Sequence, residues 1–267
     1  MKILVGADPE LFLFNRNSNK FVSCHNMIPG TKYNPHKVNF GAVQVDGMAA
    51  EFNIDPAATG EEFVRNINAV REQLQNMVPG YQLMASPVAD FNEETMKSQP
   101  PEALELGCEP DYCAWTDDIN PRPDGAVSFR SGAGHIHIGW TSDVDIRSVN
   151  HRADCVAVVK QMDYYLGLPS LLWDPDNRRR SLYGRAGAFR IKPYGVEYRT
   201  LSNAWVGNER LIKWVYAATR QAMADLSAGV KAVDKYGDAA RDIIDNNRVD
   251  WPTTSNIKLP VSLPVAA

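Results

Sequence analysis

Cysteine is scarce. Four cysteines in 267 residues are too few for a disulfide framework, and Cys24, Cys108, Cys113 and Cys155 fit a reducing compartment. Four residues separate the cysteines of "CEPDYC", and Cys24 precedes His25. No second pair has zinc-finger spacing, so these are read as thiols, not ligands. Basic excess is also missing. The formal net charge is -4, which argues against nucleic acid as the main partner. No apolar run approaches the roughly 20 residues of a membrane span. The start "MKILVGADPE" turns acidic after one lysine and lacks the apolar stretch of a signal peptide. A soluble, cytoplasmic protein with no membrane partner is expected. There is no internal repeat and no Walker-type phosphate loop. "GAGHIHIG" leads into a strand and not a helix, which excludes a dinucleotide site.

What is present is enough apolar residue, 44%, to build a sizeable core. Strands come in runs. "KILVGADPELFLFN" reads as a strand bent between Gly6 and Pro9, and "FVSC" returns after a turn-rich "NRNSNK". "AVQVDGMAAEFNI" reads as strand, kink at Gly47, strand. "YQLMASPVADF" reads as one strand, and residues 95 to 125 as a long ordered loop. "AFRIKPYGVEYRTL" reads as two strands joined by a Pro-Tyr-Gly turn.

Between these runs lie helical patterns. Thr59 and Glu62 form a capping box before Phe63, Ile67, Val70, Leu74 and Met77. A second helix is expected over 148 to 166, with Val149, Val156, Val159 and Met162 as its stripe. A third covers 207 to 229, with Leu211, Trp214, Val215 and Ala218 inward, and a shorter one covers 238 to 246. Runs of strands without strict alternation predict an α+β fold, with an antiparallel or mixed sheet and helices on one face. Residues 1–267 are read as a single domain, with a Pro-rich tail from about 248 that wraps or frays.

The chemistry concentrates in "SFRSGAGHIHIGW". Alternation puts His135 and His137 on one face and Ile136, Ile138 and Trp140 on the other. Asp8 and Glu10 share a parity in their strand, as do Glu197 and Arg199 in theirs. Each of these taken alone reads more readily as a solvated polar position than as part of a site. If the strands are neighbours, however, one face gathers Asp8, Glu10, Asp46, Glu51, His135 and Glu197. Such a set needs cations, and hard divalent ions such as Mg²⁺ or Mn²⁺ suit oxygen-rich sites. Arg179, Arg180, Arg185, Arg190 and Arg199 follow, and arginine grips phosphate in bidentate fashion. Carboxylates, metal and arginines are the parts of phosphoryl transfer.

The order "GADPELF", "VQVDGMAAEFNI", "GAGHIHIG", "RRRSLYGRAGAFRIKPYGVEYRTLSNAW" resembles the carboxylate–amine ligases of the glutamine synthetase and glutamate–cysteine ligase superfamily. Within it, the chain is similar to a small phage-type group called COOH·NH2 ligases. The resemblance implies a glutamine synthetase-like catalytic domain, an antiparallel sheet whose concave face holds ATP with divalent ions. It implies metal binding by Asp8, Glu10, Glu51, His135 and Glu197, with Asp46 beside them. His137 would stand by the nucleotide phosphates. Arg199, Arg185 and Arg190 would serve phosphate or substrate, with Arg179 and Arg180 as further candidates.

The implied reaction joins a carboxylate to an amine through an acyl phosphate, with ATP and Mg²⁺ (or Mn²⁺), in a phage-encoded protein acting in the host cytoplasm. The carboxylate and the amine can each be an amino acid, a peptide or a protein terminus. Departures are the aspartate at position 8, a short chain and no counterpart of the ammonia-site loop. Two other readings stay open: a guanidino-kinase-like phosphotransferase, and a non-catalytic structural or adaptor protein on the same fold.

Overall fold

The structure, a computed structural model, describes residues 2–105, 110–121, 127–174 and 176–262. Its strands are β1 Leu4–Asn15, β2 Lys20–Val22, β3 His36–Val38, β4 Gly41–Asp46, β5 Ala49–Ile54, β6 Gln82–Met84, β7 Val88–Asp90, β8 Tyr112–Cys113, β9 Phe129–Ser131, β10 Gly134–Gly139, β11 Ala188–Lys192 and β12 Gly195–Tyr198. The helices are α1 Gly60–Met77, α2 Glu93–Lys97, α3 Pro101–Leu104, α4 Val149–Met162, α5 Leu168–Ser170, α6 Arg178–Leu182, α7 Glu209–Ser227, α8 Ala232–Tyr236, α9 Ala239–Asp245 and α10 Trp251–Thr254. A π-helical turn, Asp163–Gly167, joins α4 to α5.

The main sheet runs β3-β4-β5-β1-β10-β12-β11-β8, with β2 and β6 also on β1. The strand pairings among the described residues are antiparallel. The fold is therefore α+β with an antiparallel sheet, and the mixed alternative falls away.

Alternation explains the two faces. Leu11, Leu13, Phe52, Ile136, Ile138, Val196 and Tyr198 join Phe63, Ile67, Val70, Val159, Met162, Ile212 and Val215 of α1, α4 and α7 in one buried core. Burying such side chains contributes roughly 1.5–3 kcal/mol each. The neighbouring positions, of opposite parity, line a cleft on the other face. At one end of it a second apolar cluster gathers Phe12, Met48, Ala49, Ala89, Phe91 and Ala103.

The capping box forms as expected. Thr59 accepts from the Glu62 N–H, and the Glu62 carboxylate accepts from the Thr59 N–H. Several expectations change. β1 runs on through Gly6 to Pro9 without ending. Pro9 has no N–H to offer, yet it stands where β1 leaves β10 and takes β5 as its partner. Gly47 makes a tight turn and not a kink: its φ of 57 lets β4 fold back on β5, pairing Asp46 with Ala49.

"YQLMASPVADF" splits at Pro87 into β6 and β7, which belong to different sheets. The expected loop carries α2, α3 and β8. Val149 is exposed, because the first turn of α4 projects past the core; His151, Cys155 and Val158 take part in its buried side instead. On α7 Leu211 and Trp214 are only half-buried, and Ile212 and Val215 face inward. In the tail, Trp251 and Ile257 are buried in the main core.

The glycines before the histidines meet a packing demand. A Cβ on Gly134 would lie 2.2 Å from the Ser202 carbonyl oxygen and 2.5 Å from Trp205 Nε1. Gly134→Ala is expected to cost about 2–3 kcal/mol or more, seen as a lower urea midpoint at unchanged slope. An unchanged midpoint would mean that the segment after β12 yields freely.

Candidate functional site

Strand register assembles the site. Asp8 pairs with His135, and Gly6 with His137, across β1 and β10. His137 pairs with Glu197 across β10 and β12, and Glu197 with Arg190 across β12 and β11. On the other side Glu10 pairs with Glu51, and Glu51 with Gln44. All lie on the face away from the helices. A cavity of about 330 Å³ is lined by Asp8, Glu10, Asp46, Glu51, His135, Arg190, Glu197 and Arg199, with Lys32, Gln44, Arg130, Arg179, Tyr183 and Lys192. A second cavity of about 800 Å³ adjoins it and shares Asp8, Lys32, Gln44 and Glu51. His137, Tyr194, Trp140, Ile54, Pro35 and Pro56 also line it. Gly6 lines the second cavity and Phe12 the first. Phe12 is six steps along the strand from Gly6, roughly 20 Å at 3.3 Å per residue.

Two carboxylates in this cleft are held by cations. Asp8 Oδ2 is 3.0 Å from His137 Nε2, and Asp8 Oδ1 is 3.4 Å from His135 Nδ1. Glu197 contacts Arg199 Nη1, with Lys192 Nζ at 2.9 Å, His135 Nδ1 at 3.4 Å and Arg190 Nη1 at 3.6 Å. Burial alone would raise both acids. For Asp8 the imidazoles of His137 and His135 outweigh it, and for Glu197 the Arg199 guanidinium does so with both imidazoles and Lys192. Both carboxyls sit well below the usual carboxylate range. Burial, reinforced by Arg199, lowers His135 to about 4, leaving a neutral imidazole. For His137 burial opposes charging, but Asp8 outweighs it and the net shift is upward. His137 Nδ1 is fixed at 2.5 Å from the Tyr194 hydroxyl.

The other three acids are in the opposite condition. Burial and the nearby Asp46 push Glu10 up to about 8. Burial, then Asp8, Asp46 and Glu10, push Glu51 well above its ordinary value. Burial also raises Asp46, although Lys32 and Arg199 pull it down. Glu10 accepts the Ala133 N–H at 2.8 Å, and Glu51 accepts from Gln44 Nε2 at 2.5 Å. Like charges this close cannot all ionise without cations.

The predicted residues thus come together, with two corrections. Arg180 turns into the protein: its Nη2 is 3.6 Å from Asp174 Oδ2 and its Nη1 donates to Asn247 Oδ1 at 3.0 Å. Arg185 lies with Arg180, Asn177, Ser181 and Asp245 around a separate pocket. Successive residues of α6 project about 100° apart, so one arginine of "RRR" reaches the cleft. That residue is Arg179.

The roles of the two histidines also shift. Asp8, His137 and Glu197 each bring a possible ligand atom within 4.8 Å of the others, a group that includes His137 and not His135. Arg199 is already engaged, donating to Glu197 and, at 2.9 Å, to Asp111.

Sequence reading missed Lys32, Gln44, Asp111, Arg130, Tyr183, Lys192 and Tyr194. Two carried a signal. Lys192 lies two residues from Arg190 on one strand face, and Gln44 two from Asp46. The others come from loops or a short strand, whose aim no periodicity records. Of the cysteines, Cys24, Cys113 and Cys155 are buried and unlinked; Cys108 lies outside the described residues. No helix among the described residues is long and apolar enough to cross a membrane.

Residues 126–233 match the model of a family described as phage phiEco32-like COOH.NH2 ligase, type 2. The matched span carries His135, His137, Arg190, Glu197 and Arg199; Asp8, Glu10, Asp46 and Glu51 lie before it. No curated protein matches the chain. The match supports a carboxylate–amine ligase family, whose chemistry involves a carboxylate and an amine.

Proposed function

We propose that this protein is an ATP-dependent carboxylate–amine ligase of glutamine synthetase-like fold, phage-encoded and acting in the host cytoplasm. It forms an amide through an acyl phosphate. The observation that carries the reading is the cluster of Glu10, Asp46 and Glu51 beside the cation-held pair Asp8 and Glu197. An unused set of buried acids costs stability, which disfavours a purely structural role. Oxygen-rich donors of this kind suit Mg²⁺ or Mn²⁺. Asp8 Oδ1 and His137 Nε2 are buried and touch only other members of the cluster, His135 Nδ1 at 3.4 Å and Asp8 Oδ2 at 3.0 Å, so both belong to the donor set that would hold an ion. When bound, the ions would neutralise phosphate charge and polarise the phosphoryl group.

The wider cavity, with Pro35, Ile54, Pro56, Trp140 and Tyr194 on its wall, suits a nucleobase and directs the triphosphate toward His137 and Lys32. The acid-lined cavity takes the carboxylate. A carboxylate oxygen attacks the γ-phosphorus, the bond to ADP breaks, and an acyl phosphate forms. The amine then attacks the acyl carbon, phosphate leaves and the nitrogen loses a proton. Arg190 and Lys192, beside Glu197, hold phosphoryl oxygens.

The test is ATP turnover with Mg²⁺ against amino acids and peptides, with mass detection of an amide. A stable phosphorylated product without an amine would instead indicate a guanidino-kinase-like phosphotransferase. Absence of both nucleotide binding and turnover would leave a structural role.

The titration of the acids gives a further expectation. A carboxyl raised in the folded state contributes stability below its unfolded pKa, and that contribution is lost as pH rises through the folded value. Glu10 therefore destabilises the metal-free protein increasingly between its ordinary 4.5 and about 8. Melting in EDTA should fall across this window, and Mg²⁺ should restore more at the alkaline end. Likewise ATP should raise the melting temperature with Mg²⁺ and not in EDTA. Equal ATP shifts in both would remove the metal site.

A further inference from the structure

Behind the sheet, a buried carboxyl grips the strand that carries Glu197 and Arg199. Asp163 opens the π-helical turn Asp163–Gly167 and is 0% exposed. Its Oδ1 accepts from the Tyr198 hydroxyl at 2.7 Å, and Thr200 Oγ1 lies 3.3 Å from the same oxygen. Its Oδ2 accepts from Trp115 Nε1 at 2.6 Å, and the Gly187 N–H also donates to this carboxyl. All four donors are neutral. Among the described residues no lysine or arginine forms an ion pair with Asp163. Burial pushes the carboxyl up to about 7, against the Tyr198 and Trp115 hydrogen bonds. A buried acid of this kind costs stability that a packed apolar side chain would not. Gly167 completes the seat: a Cβ there would lie 2.7 Å from the Tyr198 hydroxyl and 3.3 Å from Asp163 Oδ1. Single π-helical turns are frequent at functional sites.

What the carboxyl holds explains its cost. Tyr198 lies between Glu197 and Arg199, and Thr200 follows Arg199. Alternation sends Tyr198 into the core and Glu197 and Arg199 into the cleft. A hydroxyl fixed on the far face therefore fixes the two side chains on the near face, one peptide away on either side. The other donors extend the hold. Trp115 lies just after β8, and just before β8 is Asp111, which accepts from Arg199 Nε at 2.9 Å. Gly187 precedes β11, whose Arg190 is 3.6 Å from Glu197. The Ala114 N–H donates to the Gly187 carbonyl at 2.8 Å, which joins these two segments. One carboxyl thus ties together the three segments that supply Asp111, Arg190 and the Glu197–Arg199 pair.

We infer that Asp163 is a positioning residue. It acts through Tyr198, from behind the sheet, on the aim of Glu197 and Arg199. The inference rests on the ligase reading for what that aim serves, but not for whether the aim depends on Asp163.

The experiment compares two tyrosines of one core. Tyr198→Phe removes the hydroxyl that Asp163 holds. Tyr165→Phe removes a hydroxyl of the same π-helical turn, one that donates to Asp225 Oδ2 of α7 at 2.5 Å. Both should lower the urea midpoint. Mn²⁺ is the probe, titrated without nucleotide at fixed ionic strength and followed by loss of the free-ion EPR signal. The expected result is Mn²⁺ binding about tenfold weaker in Tyr198→Phe, the scale for a residue that orients a metal ligand, and unchanged in Tyr165→Phe. Asp163→Asn turns one acceptor into a donor among donors. It should weaken Mn²⁺ binding as much, and adding Tyr198→Phe to it should weaken binding little further. Undiminished Mn²⁺ binding in Tyr198→Phe, or an equal loss in Tyr165→Phe, would overturn the inference and leave the metal reading standing. No Mn²⁺ binding by wild type would remove the metal reading, and a metal-free cycle then decides the inference. Glu197→Gln and Tyr198→Phe together should lower stability by clearly less than the sum of the two, whereas Glu197→Gln and Tyr165→Phe should add. Additive losses in the first pair would overturn the inference.

Discussion

Glu197→Gln is expected to lower ATP turnover on the order of a thousandfold and to destabilise the fold as well. The amide keeps the shape of the carboxylate and its hydrogen-bonding capacity but discards the charge. Arg199, Lys192 and Arg190 face that charge at ion-pair distance, and the neutral His135 lies 3.4 Å from it. Removing one partner of a buried charge set costs about 3–5 kcal/mol, because the others are left uncompensated. Turnover therefore has to be measured well below the variant's own melting temperature, beside a urea titration. A folded variant with near-normal turnover would take Glu197 out of the metal set. A variant that loses turnover at unchanged stability would place the charge loss on the reaction alone.

Arg199→Lys should cut turnover by a factor on the order of 10²–10³ while ATP still binds. The guanidinium spans two carboxylates, donating to Glu197 from Nη1 and to Asp111 from Nε. It also lies 3.3 Å from His135 Nδ1 and helps keep that imidazole neutral. An ammonium is a point charge and cannot hold the same fork. With Asp111 released, Glu197 and His135 should lose their fixed aim. Hydroxylamine provides the readout. With wild type, ATP, Mg²⁺ and a substrate acid, it should trap the activated acyl group as a hydroxamate in the absence of the amine. The variant should give little. Hydroxamate at the wild-type rate would mean that Arg199 does not aim the site. An amide formed without any trappable acyl group, and without ¹⁸O passing from labelled carboxylate to phosphate, would rule out the acyl-phosphate route.

The face of the sheet was legible because a strand's period of two is strict. "HIHIG" and "VEYR" each announce a buried side and a polar side, and the register needed only to align them. The helix after Thr59 was legible through its cap. Long-range geometry was not. Nothing in "YQLMASPVADF" says that Pro87 sends its halves to different sheets. Nothing in the Pro- and Asp-rich stretch says that Asp111 will meet Arg199. In "RRR" composition marks a basic cluster, but only the angle between successive helical residues decides that Arg179 enters the cleft and Arg180 does not. Lys32 reaches both cavities from a loop, where no repeat specifies direction.

β10 lies between β1 and β12, paired on both sides, and its β1 partner comes from more than 100 residues earlier in the chain. A strand enclosed in this way has no route to solvent by local fraying. Its backbone amides should exchange with deuterium only when the whole molecule opens, so the slowest-exchanging peptide of a digest should cover residues 134–139. Contacts so distant in sequence also close late, after the loop entropy between them has been overcome. If the histidines and acids meet only after the folding barrier, a ligand that bridges them should slow unfolding far more than it speeds refolding.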